Sequence, residues 1–526
     1  MSGPAVRRTG KCMRFGVVAG VCLLIGVGVS SAHAQPASID LVASAVAALG
    51  GEQAMRGLNS LLIQGEAKFS EPEESFTVGG TPRFLGDANF TLSWQLALGW
   101  ARFDWSRSMQ YPAARKFQFS EVVTPRFGLI EDANGTRPMS AARLAVQLRE
   151  LARSSPTLLL KALDNPNAVS FEGGVKVGQT ALPAISLRDG RTTFIIMFDR
   201  ATHLPALIRT FDDDQIKGDS GFDLALGDWR VVAGVKIAHA MTYKLNDAPI
   251  ARIAYTSVVA NPTFGPETFA AGEDIKAAAK PPATGSVPFQ AILRQLYAGN
   301  IADDDPTGAQ ATTSRLKLVE LAPDVQQVVG GAQNSLIVAM REGIAVFDAP
   351  GGEAQSRWTI NAAKAKYPGK PIKYLILTHH HMDHASGVRS YVAEGATIVV
   401  PKPDKKYFVD LALREHALAP DALQNRPVSA QVVEVSDPMT LKDDGQEIRL
   451  YRILNPHVDG MLIGYVVKPN IVWVTDLLTP SPDATKGPGS RALGLALERY
   501  GIKDAMIASG NGGAAKQSDL ANALSE

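Results

Sequence analysis

Six consecutive residues, His379-His380-His381-Met382-Asp383-His384, hold four of the nine histidines in the chain. Imidazole and carboxylate are the donors that divalent transition metals take from a protein without thiolates. The cluster follows the apolar run Tyr374-Leu375-Ile376-Leu377, which reads as a buried strand. In extended chain leaving a strand, alternate residues point to opposite sides. His379, His381 and Asp383 therefore share one side, His380 and Met382 the other, and His384 opens the following helix. Two imidazoles two residues apart, with a carboxylate and another imidazole just beyond, suit two adjacent divalent metals. Further on, Asn455-Pro456-His457-Val458-Asp459-Gly460-Met461 sets His457 in a turn between two strands, and Val472-Trp473-Val474-Thr475-Asp476 sets Asp476 at the end of another.

These side chains need a sheet to carry them. The runs at 335–340, 344–349, 373–378, 396–400, 461–467 and 471–475 are apolar on both faces, which calls for helices on both sides. The second half is therefore a layered unit with its site at strand ends, the usual place in such sheets. The first half has a different rhythm. An opening helix over 39–49 leads into alternating strands, among them 61–69, 101–106, 192–200, 204–212, 229–245 and 250–261. A helical stretch over 140–163 interrupts them, and the whole reads as a curled antiparallel sheet. Between the halves, residues 276–288 are rich in Ala, Pro and Gly and read as a connection. A short helix over 289–297 and the acidic loop Asp303-Asp304-Asp305-Pro306 come after it. The expected division is residues 1–34 as an export signal, 35–275 as a β-rich domain, 276–315 as a linker with a short helix, and 316–526 as the layered domain.

The export signal rests on Arg7, Arg8, Lys11 and Arg14 ahead of an apolar stretch from Phe15 to Val29, with Ala32-His33-Ala34 offering small residues for cleavage after Ala34. The stretch is shorter than the roughly 20 residues that span a bilayer, so the mature chain is expected to be periplasmic or secreted with no membrane span. Both cysteines, Cys12 and Cys22, fall inside the signal, which removes thiolate nucleophiles, thiolate metal ligands and disulfides from consideration. Cleavage takes 53 basic residues to 49 against 52 acidic ones, a net charge of −3. Nothing in that balance supports a nucleic-acid partner, and a small-molecule substrate is the expected one. The 45% hydrophobic and 20% charged composition is that of an ordinary globular chain.

The gapless motif His379-x-His381-x-Asp383-His384 resembles the first motif of the metallo-β-lactamase superfamily, and the resemblance runs over about residues 316–526. It also takes in the lone His457, the strand-end Asp476 and the hairpin strands ending at Asp348. The implied fold class is α+β: an αββα sandwich of the metallo-β-lactamase type, preceded here by the β-rich curled antiparallel sheet domain. The implied ligands are His379, His381 and His457 for a first metal, Asp383 and His384 for a second, and Asp476 as the bridge. One departure stands out. The family's last ligand histidine, in a Gly-His-Gly phrase, is replaced by Asn511 in Ser509-Gly510-Asn511-Gly512, and no histidine follows His457. An amide oxygen is a weaker zinc ligand than imidazole, so one tightly bound Zn²⁺ is expected and a second weak or absent.

One Zn²⁺ suffices for hydrolysis, because it lowers the pKa of its water from 15.7 to about 7 and polarises a carbonyl. The resemblance thus implies an exported hydrolase in which zinc-bound hydroxide attacks an ester, thioester, lactone or lactam carbonyl, with Asp383 orienting the water and taking its proton. Two other readings stay open. Mononuclear iron sulfur dioxygenases of the same superfamily would use His379, His457 and Asp476, and a non-catalytic periplasmic carrier would keep only a decayed metal site. The phrase DWRVVAGVKIAHAM over 228–241 resembles the incomplete β-barrel of the outer-membrane lipoprotein carrier family, across roughly 36–270, which implies an apolar ligand in that domain. Outside the motif, His380 reads as a supporting residue, His416 as a solvated helix end, and His203 and His239 as core or surface residues of the first domain.

Overall fold

The structure is a computed structural model that describes residues 34–285, 287–300, 313–436, 438–481 and 484–525. The segment read as an export signal, apart from Ala34, and the acidic loop at 303–306 lie outside the described residues. The fold class is the expected α+β. Among the described residues no helix is long and apolar enough to cross a membrane.

Residues 60–260 form a 13-stranded antiparallel sheet in which sequence neighbours pair except at its two edges. The first strand, Ser60–Glu71, also pairs with the last, Ala248–Ala260, across the middle of the sheet. Its alternating burial reflects the period-two side-chain pattern. The sheet's two edges are Gly135–Pro138 and Val169–Val177. The chain between these edges makes two helices, Ala141–Ser154 and Leu158–Asp164, broken at Pro156 and packed into the core of the sheet through Leu144, Leu151, Leu158 and Leu159. The helix Phe289–Tyr297 joins the same core through Ile292, Leu293 and Tyr297.

Residues 317–516 carry two facing sheets. The first orders Lys317–Ala322, Val325–Val329, Ser335–Ala339 and Ile344–Phe347 as an antiparallel run, then adds Ile372–Ile376, Thr397–Pro401 and Gln431–Val435 in parallel. The second is antiparallel from Met439–Lys442 to Ile471–Val474, which pairs in parallel with Met506–Ser509. Phe347, Ile376 and Val399 of one sheet meet Leu450, Leu462 and Trp473 of the other in a shared core. Helices cover the outer faces: Gly352–Lys366, Val388–Ala393 and Lys405–Ala412 on one side and Pro488–Arg499 on the other. Helix, sheet, sheet, helix is the expected αββα order. The parallel pairings bring the C-terminal ends of neighbouring strands in each sheet to the same edge.

The two parts meet through buried polar contacts. Arg294 of the helix Phe289–Tyr297 is 2% exposed at its side chain and donates to both Glu71, at 2.8 Å from Nε, and Asp214. Its Nη2 also reaches Met382 Sδ, at 3.2 Å, inside the histidine motif. His416 corrects the sequence reading: it is buried rather than solvated, and its Nδ1 lies 2.9 Å from Asp213 of the first sheet. The sequence shows an isolated histidine after a helix, and only the docked sheet makes it interior.

Replacing Arg294 by Leu leaves two buried carboxylates without their cation. Breaking a buried pair from one side costs roughly 3–5 kcal/mol, so Arg294→Leu is expected to lower the thermal midpoint by several degrees. An unchanged midpoint would show that the pair contributes nothing net.

Candidate metal centre

Four strands deliver the site from the same edge of the sandwich. Ile344–Phe347 ends at Asp348, Ile372–Ile376 runs into Thr378 to His384, Ile471–Val474 into Thr475 and Asp476, and Met506–Ser509 into Gly510 and Asn511. Asp348 and Asp476 both adopt left-handed backbone, at φ 59° and 58°, a cost of about 1–3 kcal/mol that persists where the surroundings fix it. Asp348 is fully buried and accepts from the Thr378 N–H at 2.8 Å, the Thr378 hydroxyl at 2.9 Å and the Trp473 indole at 2.9 Å. It thus fastens the start of the histidine loop to both sheets. Thr378 Oγ1 lies 3.1 Å from His379 Nδ1, leaving His379 Nε2 free; that atom is buried without a hydrogen-bond partner.

The motif residues converge as their spacing suggests. His379, His381 and His457 offer nitrogens that all lie within 4.8 Å of one another, as do the ligand atoms of His379, His384 and Asp476, so either set could hold a metal ion. His381 Nδ1 and His457 Nε2 are 3.0 Å apart. Asp476 Oδ2 is 3.3 Å from His379 Nε2, 3.4 Å from His457 Nε2 and 2.9 Å from His384 Nε2. Two donors about 2.1 Å from one ion in tetrahedral geometry sit about 3.4 Å apart, so these separations fit a shared ion, and Asp476 Oδ2 is within reach of His379, His457 and His384 alike.

The electrostatics divide the imidazoles. Burial, reinforced by neighbouring imidazoles, holds His379 and His381 well below the usual range, and burial lowers His457 to about 4. Their lone pairs are therefore available to a cation. For His384 burial acts in the same direction, but Asp383 and Asp476 outweigh it and raise it well above the usual value. Asp476 is held low by His384 in spite of its burial, whereas burial pushes Asp383 up. Asp383 accepts from Gln333 at 3.3 Å through Oδ2, and its Oδ1 is buried without a partner.

Asn511 faces the centre and contacts Asp476. Its amide N–H donates to Asp476 Oδ1 at 2.9 Å, while its Oδ1 is buried without a partner. The amide thus orients the Asp476 carboxylate. Gly510 and Gly512 shape this turn: a Cβ on Gly510 would meet Thr475 Cγ2 at 2.6 Å, and Gly512 has φ 87°.

The sequence reading missed the contribution of the β-rich sheet, which closes one side of the centre. The carbonyl of Ser75 accepts from both His380 Nε2, at 3.1 Å, and His381 Nε2, at 3.0 Å. His380 is therefore a supporting residue whose partner lies 305 positions away. Arg83 donates to the His457 carbonyl at 2.6 Å, and Tyr111 stacks on the His457 ring with centroids 6.1 Å apart. Glu74 places Oε2 3.3 Å from His381 Nδ1, and Tyr111 donates to the same oxygen at 2.7 Å. The one local signal was Pro72-Glu73-Glu74 breaking the alternation of a strand, which carries no address. His239 is buried and bonded to the Ile237 carbonyl through Nδ1, and His203 occupies a turn at φ 58°; neither belongs to the centre.

Residues 328–501 match the family described as the Metallo-beta-lactamase superfamily. The match ends before Asn511. Among curated proteins, the linear primary-alkylsulfatase of a Pseudomonas sp is 29% identical over 113 residues, covering 21% of this chain and only 16% of that enzyme. Among solved structures, a metallo-beta-lactamase from Pontibacter korlensis is 18% identical and covers 40% of this chain and 97% of its own, with a TM-score of 0.31. One from Hirschia baltica is also 18% identical, covers 40% and 95%, and has a TM-score of 0.30.

The Asn511 geometry makes a concrete expectation. Asn511→His places a neutral nitrogen where an amide now donates to Asp476, and should tighten a second zinc ion about tenfold or more. Zinc titration after dialysis checks it; an unchanged second affinity would show that residue 511 does not reach that position.

Proposed function

We propose that this chain is an exported metal-dependent hydrolase that cleaves an ester, thioester, lactone or lactam carbonyl, using one zinc ion held by His379, His381 and His457. The observation that carries the reading is the convergence of three neutral imidazole nitrogens with Asp476 Oδ2 between them and His384. Zinc bound there would supply a Lewis acid and a water of lowered pKa. The protein's own residues do the rest. The buried, unpartnered Oδ1 of Asp383 accepts a proton from the attacking water, and Gln333 keeps the other oxygen in place. Asp476, fixed by Asn511 and His384, would be the residue shared with a second, weaker position.

Having His381 in the same cluster as His379 and His457 supports zinc over the iron reading, since a three-imidazole set is a common catalytic zinc shell. Export to the periplasm or beyond the cell rests on the sequence of residues 1–34. In the β-rich domain, an aromatic interior that includes Phe90, Trp105, Phe119 and Tyr255 supports an apolar ligand. The substrate panel should hold linear alkyl sulfates beside carbonyl esters, thioesters, lactones and β-lactams, because the alkylsulfatase is one of the proteins this chain resembles.

With an active substrate in hand, His379→Ala and His457→Ala are each expected to abolish turnover and lower bound zinc, each having lost one of three nitrogen donors. Full metal and full turnover in either variant would refute the assignment. Asp383→Asn is expected to keep most of the zinc and lose about 10²-fold or more in kcat, since an amide cannot take a proton. A rate within a few-fold of the parent would show that Asp383 is not the base.

A further inference from the structure

We infer that Glu74, carried by the β-rich sheet, is itself a ligand of the metal centre, so that the ion is shared between the two parts of the chain and clamps them together. This assignment rests on the metal-bound reading of the centre and adds a donor from outside the region that the family matches. Glu74 Oε2 lies 3.3 Å from His381 Nδ1, the nitrogen that faces His457 at 3.0 Å. That spacing is the one two donors take around a single ion. The ligand atoms of Glu74, His381 and Asp383 also lie within 4.8 Å of one another.

Three features favour ligation over a plain contact. Glu74 is 7% exposed, and a dry carboxylate beside a neutral imidazole gains no ion pair to offset its desolvation. Glu74, Asp383 and Asp476 together place three carboxylates around this pocket, with His384 the imidazole that Asp383 and Asp476 reach; a divalent cation balances them. Glu74 is also positioned as a metal ligand is: Tyr111 donates to its Oε2 at 2.7 Å, and Arg83 holds the Glu74 carbonyl while bonding the His457 carbonyl at 2.6 Å. Metal ligands commonly carry such outer hydrogen bonds. Zinc takes four donors and expands to five, so the carboxylate would join the three imidazoles and still leave a position for the water.

Two measurements test this. Zinc affinity is compared between the full chain and Glu74→Gln by competition with a chromophoric chelator, with the metal-free thermal midpoint as a folding control. The expected result is a loss of about tenfold or more in affinity with the metal-free midpoint unchanged. Equal affinities would overturn the assignment while leaving the His379, His381 and His457 site standing. A parent chain that binds no zinc would overturn both. Should Glu74→Gln lower the metal-free midpoint, a crystal structure of the zinc-loaded parent decides instead: a Glu74 oxygen about 2.0–2.2 Å from the ion supports ligation, and one beyond about 3 Å refutes it.

Discussion

The organisation of this protein turns on one carbonyl oxygen, that of Ser75, which accepts from the Nε2 atoms of His380 and His381 at 3.1 and 3.0 Å. An imidazole can present only one lone pair at a time, and the hydrogen bond made by one ring nitrogen decides which lone pair the other offers. With Nε2 committed to Ser75, His381 directs Nδ1 at His457 and toward the centre. The β-rich sheet therefore sets the tautomer of a residue that lies in another fold. The same segment carries Glu74 into the pocket, and Asp459 donates its backbone N–H to the Phe76 carbonyl at 2.8 Å beside it. A loop that docks by its backbone is hard to disturb by surface substitution, which suits a part that positions others.

The burial of so many ionisable groups at one edge has a physical consequence. Neutral imidazoles are tolerable in a dry site, but carboxylates are not unless cations face them. The structure meets this with His384 between Asp383 and Asp476 and, at the periphery, with Arg294 against Glu71 and Asp214 and Lys217 against Glu73. The run Glu71 to Glu74 is thus a row of buried acids with separate partners: two reach cations of the β-rich part, and Glu74 alone reaches the histidines. Tyr407 of the sandwich donates to Glu73 at 2.6 Å, tying that row down from the other side.

Much of this was legible in the sequence, and the limit has a clear origin. Local periodicity carries strands and helices, so the alternating run at 61–69 and the apolar run at 373–378 lie where the structure puts Ser60–Glu71 and Ile372–Ile376. A gapless motif carries its own geometry, which is why His379, His381, Asp383 and His384 come together as their spacing suggests. His457 and Asp476 were legible only as a turn and a strand end, made meaningful by the family pattern. Contacts between residues hundreds of positions apart leave no local trace. Ser75, Arg83 and Tyr111 look like ordinary strand and loop residues, and His416 looked solvated for the same reason. Asn511 was legible as a departure, but not as the donor that orients Asp476.

The most direct test of the central claim is elemental analysis of the full chain, purified without added metal and dialysed against metal-free buffer. About one zinc per chain, removable only by a strong chelator, is the expected result for three convergent imidazoles. A chain with no bound metal, or with iron in place of zinc, would contradict the hydrolase account at its root.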